Sequence, residues 1–345
     1  MAKHILITGG AGFIGTNSAD YFLGKGYEVT IVDDLSRKGS GENALWLKKK
    51  WGGRCKIVEH DITDGADAMV GFMERVDAVL HLAAQVAVTH SMADPHHDFK
   101  VNAEGTLNVL EAVRRSVRRP AVLYASTNKV YGNLENAAVE LTDAGYWYRD
   151  LPRGVSESTP VDFHSPYGCS KGAADQYVRD YARIYGLKTV VFRQSCIYGP
   201  HQFGVEDQGW IAWFVISTLL HRPLTIYGDG RQVRDVVFID DVCTLYELAI
   251  KNIAKVSGKI YNIGGGAGNT FSLLEAIAVL EKIMQTKIAY SFAAWRPGDQ
   301  KVYISDLARI KKDLGWEPRI DFEHGAAKLV RWVFDEEKLI RRLMA

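Results

Sequence analysis

Residues 4–15 have the sequence HILITGGAGFIG, and this stretch decides the fold. The apolar residues 4–8 are predicted to form a buried strand, and Gly9, Gly12 and Gly15 follow at the spacing Gly-x-x-Gly-x-x-Gly. Such glycines allow a tight turn and a close approach of the backbone to a pyrophosphate, which then lies at the N-terminus of the next helix. A plain strand-to-helix turn could use the same residues, so the context of the motif decides its meaning.

The rest of the first half alternates short apolar strands with helical patterns. Strands are predicted at residues 28–32, 56–59, 78–82, 121–126 and 189–193, and helices near 13–25, 66–74, 97–117 and 166–185. This alternation predicts an α/β fold, a Rossmann-type doubly wound parallel sheet with helices on both faces. Residues 133–163 form a long insertion, which is either a functional lid or a packed surface loop.

After residue 196 the alternation breaks down, which predicts a smaller mixed α/β lobe that binds the substrate. We assign residues 1–195, with returning segments near 236–264, to a cofactor-binding domain. Residues 196–235 and 265–345 are assigned to the lobe.

The composition is typical of a soluble globular protein, with 47% apolar and 24% charged residues among 345. The 42 basic and 41 acidic residues give a net charge of +1, so no basic surplus predicts nucleic-acid binding. The longest apolar run, around residues 210–220, is too short to span a membrane, and the N-terminus does not resemble a signal peptide. The four cysteines form no Cys-x-x-Cys pair and the ten histidines show no ligand spacing. We therefore expect a cytoplasmic protein with free thiols and no metal site.

An acidic residue at the end of the second predicted strand indicates which dinucleotide binds. Asp33 closes that strand downstream of Gly15, where a carboxylate accepts hydrogen bonds from both ribose hydroxyls of NAD and repels the 2′-phosphate of NADP. Arg37 and Lys38 lie nearby and would favour NADP, but the carboxylate holds the diagnostic position. The sequence therefore predicts NAD.

Tyr167 and Lys171 are the candidate proton-transfer pair. They lie four residues apart in HSPYGCSK, residues 164–171, and residues at i and i+4 share one face of a helix. Ser165 is a suitable N-cap, and Pro166 suits the first helical position. A fixed positive charge nearby would lower the pKa of the phenol and favour its use as a base. By itself the spacing is also compatible with an ordinary exposed Tyr and Lys.

Thr127 is the third candidate group, at the end of the fifth predicted strand. Ligands bind beyond the carboxyl ends of the strands in such sheets, so its hydroxyl would face the same crevice as Tyr167. There it could hold a substrate oxygen while Tyr167 exchanges the proton. A Ser-Thr pair at a strand end is common, so alone it predicts little.

Together these segments resemble the extended short-chain dehydrogenase/reductase family of sugar-nucleotide enzymes over nearly the whole chain. The motifs in family order are the glycine turn at 9–15, Asp33, Ser126-Thr127, Tyr167 with Lys171, Tyr198-Gly199-Pro200 and residues 231–241. The resemblance implies that Thr127, Tyr167 and Lys171 are catalytic and that Lys171 also holds the nicotinamide ribose.

The motifs and the resemblance together predict a set of cofactor-binding residues. These are Gly9, Gly12, Phe13, Ile14, Gly15, Asp33, Asp34, Ser36, Arg37, Asp61, Ile62, Leu82, Ala83, Ala84, Gln85, Ser126, Tyr167, Lys171 and Gln194. The predicted substrate-binding residues are Thr127, Tyr227, Arg234, and Arg296 in WRPGD, residues 295–299. The arginines would clamp phosphate oxygens and Tyr227 would stack on the base. One departure is Cys196, since many family members have an Asn there that contacts the nucleotide diphosphate.

Within the family the resemblance is closest to the members that epimerise CDP-hexoses at C2. The matching segments are residues 33–39, 126–132, 162–177 and 207–210. This resemblance implies removal of a hydride from C2, a 2-keto intermediate and return of the hydride to the opposite face. The substrate would be a CDP-sugar, converted from CDP-paratose to CDP-tyvelose or from CDP-glucose to CDP-mannose, with NAD bound throughout.

The two residues after Thr127 distinguish this chemistry from dehydration. In the 4,6-dehydratases of the family an Asp-Glu pair follows the catalytic Thr, whereas this chain has Asn128 and Lys129, and neither is a carboxylic acid. A UDP-hexose 4-epimerase of the same fold remains an alternative. A non-catalytic NAD-binding regulator is a second alternative, although such relatives often lose the Tyr or the Lys.

The resemblance also implies a second copy of the chain as a partner. Family members form a homodimer or a dimer of dimers in which two long helices of each subunit pack together. The predicted helices at 97–117 and 166–185 are the candidates.

Overall fold

The computed structural model describes residues 3–296 and 299–344. The strands are β1 (His4–Thr8), β2 (Glu28–Asp33), β3 (Cys55–Glu59), β4 (Ala78–His81), β5 (Ala121–Thr127), β6 (Val139–Thr142), β7 (Gly145–Tyr148), β8 (Thr189–Gln194), β9 (Cys196–Tyr198), β10 (Leu224–Tyr227), β11 (Val233–Phe238), β12 (Lys259–Ile263), β13 (Thr270–Ser272), β14 (Tyr290–Ala293) and β15 (Val302–Tyr303). The helices are α1 (Phe13–Gly24), α2 (Ser40–Trp51), α3 (Ala66–Met73), α4 (Val88–Ala93), α5 (Pro95–Phe99), α6 (Gly105–Arg115), α7 (Ser165–Tyr185), α8 (Trp210–Leu219), α9 (Ile239–Lys251), α10 (Ile253–Val256), α11 (Leu273–Met284), α12 (Ala308–Leu314), α13 (Phe322–Asp335) and α14 (Glu337–Met344).

Seven parallel strands form the central sheet in the order β12-β8-β5-β4-β1-β2-β3. The chain builds outward from β1 on one side, then crosses back and builds the other side. Helices α1, α2 and α9 contribute to the core on one face, and α3, α6 and α7 to the core on the other. This topology confirms the predicted doubly wound, Rossmann-type α/β fold.

The side chains of β1 explain why both faces of the sheet are covered. Ile5 and Ile7 join one core cluster and Leu6 joins the other, because successive side chains of a strand point to opposite faces. All three are fully buried. A strand that is apolar on both faces is typical of the middle of a parallel sheet, and β1 lies there between β2 and β4.

The second half of the chain forms a smaller lobe around β11. That strand pairs with β9, β13 and β15, and β10 pairs with β14, whereas β12 joins the central sheet. The predicted domain boundaries stay a prediction.

The long insertion packs against this lobe and contains the hairpin of β6 and β7. Tyr148 and Val155 are buried in a cluster with Val233 and Tyr303. The Tyr148 hydroxyl also donates a hydrogen bond to the carbonyl oxygen of Val302 (2.9 Å). The insertion is therefore packed against the lobe, and its role as a functional lid stays a prediction.

Several helices differ from the sequence prediction: α2, α4, α9 and α10 were not predicted, and two further differences have a clear physical reason. The predicted helix at 97–117 is divided into α5, a π-helical turn at Lys100–Glu104, and α6. Helix α8 was not predicted as a helix, because most of its residues are buried and its sequence is therefore apolar without a clear period.

Candidate functional site

A cavity of about 460 Å³ lies at the carboxyl edge of the central sheet, where ligands bind in doubly wound folds. Every residue that the sequence predicted to bind the cofactor lines this cavity. They are Gly9, Gly12, Phe13, Ile14, Gly15, Asp33, Asp34, Ser36, Arg37, Asp61, Ile62, Leu82, Ala83, Ala84, Gln85, Ser126, Tyr167, Lys171 and Gln194. Motifs that are far apart in the chain thus meet in one site.

The glycine turn leaves no room for side chains on its closed side. Gly9 has a φ of 66°, and a Cβ there would lie 2.6 Å from the backbone nitrogen of Ala83. A Cβ on Gly15 would collide with the backbone of Gly9 and Gly10. Gly12 is the N-cap of α1, and it lines the cavity. This is the backbone arrangement that admits a pyrophosphate at a helix N-terminus.

Asp33 is held rigidly at the end of β2. Its carboxylate accepts hydrogen bonds from the backbone nitrogens of Ala11 and Leu35, both at 2.9 Å. Burial raises its pKa, and these two hydrogen bonds oppose the increase. Each carboxylate oxygen keeps a further lone pair for a ligand hydroxyl. Arg37, the cation that would favour a 2′-phosphate, donates a hydrogen bond to Gln208.

Helix α7 presents Tyr167 and Lys171, and its first turn is capped as predicted. The Ser165 hydroxyl accepts a hydrogen bond from the backbone nitrogen of Gly168 (3.2 Å), and Pro166 follows it. The helix begins at Ser165 itself, a difference of one residue that is common at helix ends. The Ser91 hydroxyl accepts a hydrogen bond from the backbone nitrogen of Tyr167 (3.1 Å) and so fixes the first turn against α4.

The phenol of Tyr167 is buried, with 8% of the residue exposed. Burial raises its pKa to about 12, whereas the neighbouring Thr127 hydroxyl and the charge of Arg37 lower it. The structure therefore places Thr127 and Tyr167 together, although Thr127 does not line the cofactor cavity. The expectation of a lowered phenol pKa is wrong for the protein alone, because the loss of solvent outweighs the favourable contacts.

Lys171 points toward the end of β5. Its ammonium donates a hydrogen bond to the carbonyl oxygen of Ala125 (2.6 Å) and lies 4.4 Å from the centre of the Tyr124 ring. Burial lowers the pKa of Lys171 to about 7, and the charges of Asp175 and Asp98 oppose the decrease. An amine with this pKa exchanges a proton readily near neutral pH.

Three of the predicted substrate-binding residues, Tyr227, Arg234 and Arg296, lie in the lobe, outside the cofactor cavity, whereas Thr127 ends β5 of the central sheet. Arg234 and Arg296 each pair with a carboxylate: Arg234 with Asp299 at 3.2 Å and Arg296 with Asp207 at 3.0 Å. The Arg296 guanidinium also lies 3.8 Å from the centre of the Tyr227 ring. Both arginines are thus paired with carboxylate oxygens of the protein, and a phosphate offers a guanidinium the same kind of anionic oxygen. Pro297 and Gly298 of the WRPGD segment lie outside the described residues.

A covering loop at residues 201–208 was not predicted as part of the site. The loop residues that line the cavity are His201, Gln202, Phe203, Val205 and Gln208. The ring of Phe203 packs where a side chain on Gly39 would stand. Two signals in the sequence pointed to this loop: it directly follows Tyr198-Gly199-Pro200, and Gln208 belongs to the matching segment 207–210.

His81 illustrates a buried polar residue with a structural role. Its two ring nitrogens are hydrogen-bonded to the hydroxyls of Thr8 and Thr106, and burial lowers its pKa to about 3.

Within residues 3–296 and 299–344, no group of three or more His, Cys, Asp or Glu side chains could hold a metal ion. No described helix has the length and apolar character needed to cross a membrane.

Comparison with known proteins agrees with this geometry. The family model described as GDP-mannose 4,6 dehydratase matches residues 6–329. The CDP-paratose 2-epimerase of Salmonella typhi is 44% identical in an alignment of 336 positions that covers 95% of this chain and 98% of that protein.

Two solved structures share the architecture. The dTDP-glucose 4,6-dehydratase DesIV from Streptomyces venezuelae, with NAD bound, has a TM-score of 0.83 and 30% identity over 99% of both chains. The UDP-glucuronic acid 4-epimerase from Bacillus cereus, in complex with UDP-glucuronic acid and NAD, has a TM-score of 0.83 and 26% identity over 96% of this chain and 99% of that one. Since a family model and a relative each cover more than nine tenths of its length, the chain belongs to the extended short-chain dehydrogenase/reductase family.

Proposed function

We propose that the protein is an NAD-dependent nucleotide-sugar epimerase that inverts C2 of a CDP-hexose, converting CDP-paratose to CDP-tyvelose. The observation that carries the proposal is the 44% identity to a CDP-paratose 2-epimerase along 95% of the chain. The same chemistry would convert CDP-glucose to CDP-mannose.

The cavity suits NAD on two independent grounds. The glycine turn leaves its backbone open to a pyrophosphate, and Asp33 offers both carboxylate oxygens to ribose hydroxyls. When bound, NAD would take the hydride from the sugar and return it, and its positively charged ring would favour the phenolate of a nearby tyrosine.

Three residues at the site are assigned the binding of the reacting hydroxyl, the proton transfer and the binding of the nicotinamide ribose. We assign to Thr127 the binding of the reacting hydroxyl, because its own hydroxyl lies beside the Tyr167 phenol at the end of β5. Tyr167 accepts the proton of that hydroxyl and returns it after the keto sugar has turned. Lys171, with a pKa of about 7, holds the nicotinamide ribose and relays the proton between Tyr167 and solvent.

The residues after Thr127 favour epimerisation over dehydration. Asn128 is nearly buried, and its side-chain oxygen accepts a hydrogen bond from the Thr127 hydroxyl (3.4 Å). Lys129 carries an amine in place of a carboxyl group. Elimination of water needs a further acid and base, and neither side chain offers a carboxylic acid.

A single incubation tests the proposal. Purified protein, without added cofactor, is mixed with CDP-paratose, and the products are separated and identified by the configuration at C2. We expect CDP-tyvelose to form. Inversion only at C4, or turnover only of UDP-hexoses, would instead assign the enzyme to the UDP-hexose 4-epimerases.

Replacing Asp33 with alanine is expected to weaken NAD binding about 10–100-fold, because two charge-assisted hydrogen bonds to the ribose are lost. The measurement is the dissociation constant of NAD for the apoprotein. Asp240→Ala, which removes an exposed carboxylate paired with Lys328, is the control and is expected to leave NAD binding unchanged. Equal affinities in the Asp33 variant and the wild type would rule out the ribose role.

We further propose a homodimer, or a dimer of dimers, packed through the segments 97–117 and 166–185. Phe99, Tyr177 and Ile184 on these segments are large apolar side chains that are 59%, 47% and 66% exposed, and an interface between two copies of the chain would bury them. Ile184→Asp is expected to shift the species seen by sedimentation toward the monomer. A wild-type protein that sediments as a monomer would contradict this proposal.

A further inference from the structure

Lys129 is a charged residue near the site to which the proposed mechanism assigns no role. It lies in the short turn that follows β5, and its backbone nitrogen donates a hydrogen bond to the Thr127 hydroxyl oxygen (3.2 Å). Its side chain is half-buried and lies near Arg234, Asp299 and Cys196. Lys129 therefore extends from the reacting end of the site toward the phosphate-binding arginine of the lobe.

The surroundings of Lys129 favour the binding of an anion. Burial and the like charge of Arg234 lower the pKa of Lys129 to about 8, and Asp299 only partly opposes this. Asp299 already forms an ion pair with Arg234 (3.2 Å). Among the described residues, the Lys129 ammonium has no hydrogen bond and no ion pair of its own. Two cations that converge in a partly buried space are stabilised by an anionic ligand between them.

We propose that Lys129 binds the sugar-linked phosphate of the nucleotide-sugar and thereby places C2, rather than C4, against Tyr167. This inference rests on the proposed function and deepens it, because the family resemblance alone assigned the reacting carbon. The ligand class is a nucleoside diphosphate sugar, and the contact is to the phosphate attached to C1.

The position of Lys129 beside Thr127 is what selects the carbon. C1 carries the phosphate and is bonded directly to C2, whereas C4 lies on the opposite side of the sugar ring. A cation adjacent to the residue that holds the reacting hydroxyl therefore draws the phosphate close to the reacting carbon. With the phosphate held there, we assign C2, the hydroxyl-bearing carbon bonded to C1, to face Thr127 and Tyr167. A site built for C4 would hold the phosphate a full ring width away.

Binding of two nucleotides to the NAD-loaded protein tests this contact. CDP contains the phosphate that Lys129 would bind, and CMP lacks it. Lys129→Met is expected to weaken CDP binding about 10–100-fold, as expected for one charge-assisted hydrogen bond, and to leave CMP binding within about twofold. Unchanged CMP binding also shows that the variant is folded. Lys129→Arg is expected to restore most of the CDP affinity.

A matched control and the pH dependence sharpen the result. Lys301→Met removes an exposed lysine of the same lobe and is expected to leave both affinities unchanged. The groups that face Lys129 are Arg234, Asp299 and Cys196, and Lys129 is the one with a pKa of about 8. Wild-type affinity for CDP is therefore expected to fall as the pH rises through about 8, where the ammonium loses its charge. The same fall should be absent in Lys129→Met.

The outcomes separate this inference from the proposed function. If Lys129→Met binds CDP as well as the wild type, or loses CDP and CMP equally, the phosphate contact is wrong, even if the wild type epimerises CDP-paratose. If the variant loses CDP alone while the wild type does not turn over any CDP-hexose, the contact stands and the proposed reaction falls.

Discussion

Tyr167→Phe is expected to lower kcat for epimerisation about 100–10,000-fold, the range that a positioned general acid or base contributes. The substitution removes the phenol oxygen that lies beside the Thr127 hydroxyl and leaves the buried ring in place. Without that oxygen, the proposed proton acceptor beside Thr127 is lost. The measurement is the rate of product formation at saturating substrate.

The controls for Tyr167→Phe exclude a general loss of structure. The melting temperature and the content of bound NAD are expected to stay close to those of the wild type, because the ring keeps its packing. Tyr290→Phe removes the same oxygen from an exposed residue of β14 and is expected to leave kcat unchanged. If Tyr167→Phe retained full turnover, another residue would have to be the proton acceptor.

Arg193→Met is expected to lower the free energy of unfolding by about 3–5 kcal/mol, because it leaves Asp175 charged and unpaired in the core. Arg193 holds Asp175 with two hydrogen bonds of 2.9 and 3.0 Å, and their side chains are 3% and 0% exposed. The Ser126 hydroxyl also donates to Asp175 (2.8 Å), so the pair supports the end of β5 beside Thr127. Denaturant unfolding followed by circular dichroism measures the change.

Arg114 offers the matched comparison for this stability prediction. It also forms two hydrogen bonds to one carboxylate, that of Glu111, but it lies on the surface of α6. Solvent screens such a pair, so Arg114→Met is expected to cost much less than Arg193→Met. Similar losses in the two variants would show that burial does not determine the strength of the Arg193 pair.

Sequence reasoning located the cofactor cavity well because its signals are local. Gly9 and Gly15 are required by close backbone contacts, and Asp33 marks the end of a strand, so each carries its meaning within a few residues. Helix α7 was predicted near its true start because Ser165 and Pro166 are local capping signals. The parallel sheet followed from alternation alone, since strands that are apolar on both faces must be covered on both.

Other features depend on contacts between distant segments. Most of the covering loop at 201–208 carries no motif, and it joins the site because the chain brings Phe203 against Gly39 at the start of α2. Helix α8 is enclosed by the lobe, so burial removed the periodicity that would have revealed it.

The sequence by itself determined the fold class, the family and the identity of the candidate reacting groups, because these follow from residue types at fixed spacings. Only the tertiary structure decided how those groups behave. It buries the Tyr167 phenol, so that its pKa rises instead of falling, and it turns Lys171 toward Ala125. It also brings Lys129 next to Arg234, more than a hundred residues away in the chain. Desolvation and Coulomb interactions depend on distances in space, and spacing along the chain does not contain those distances.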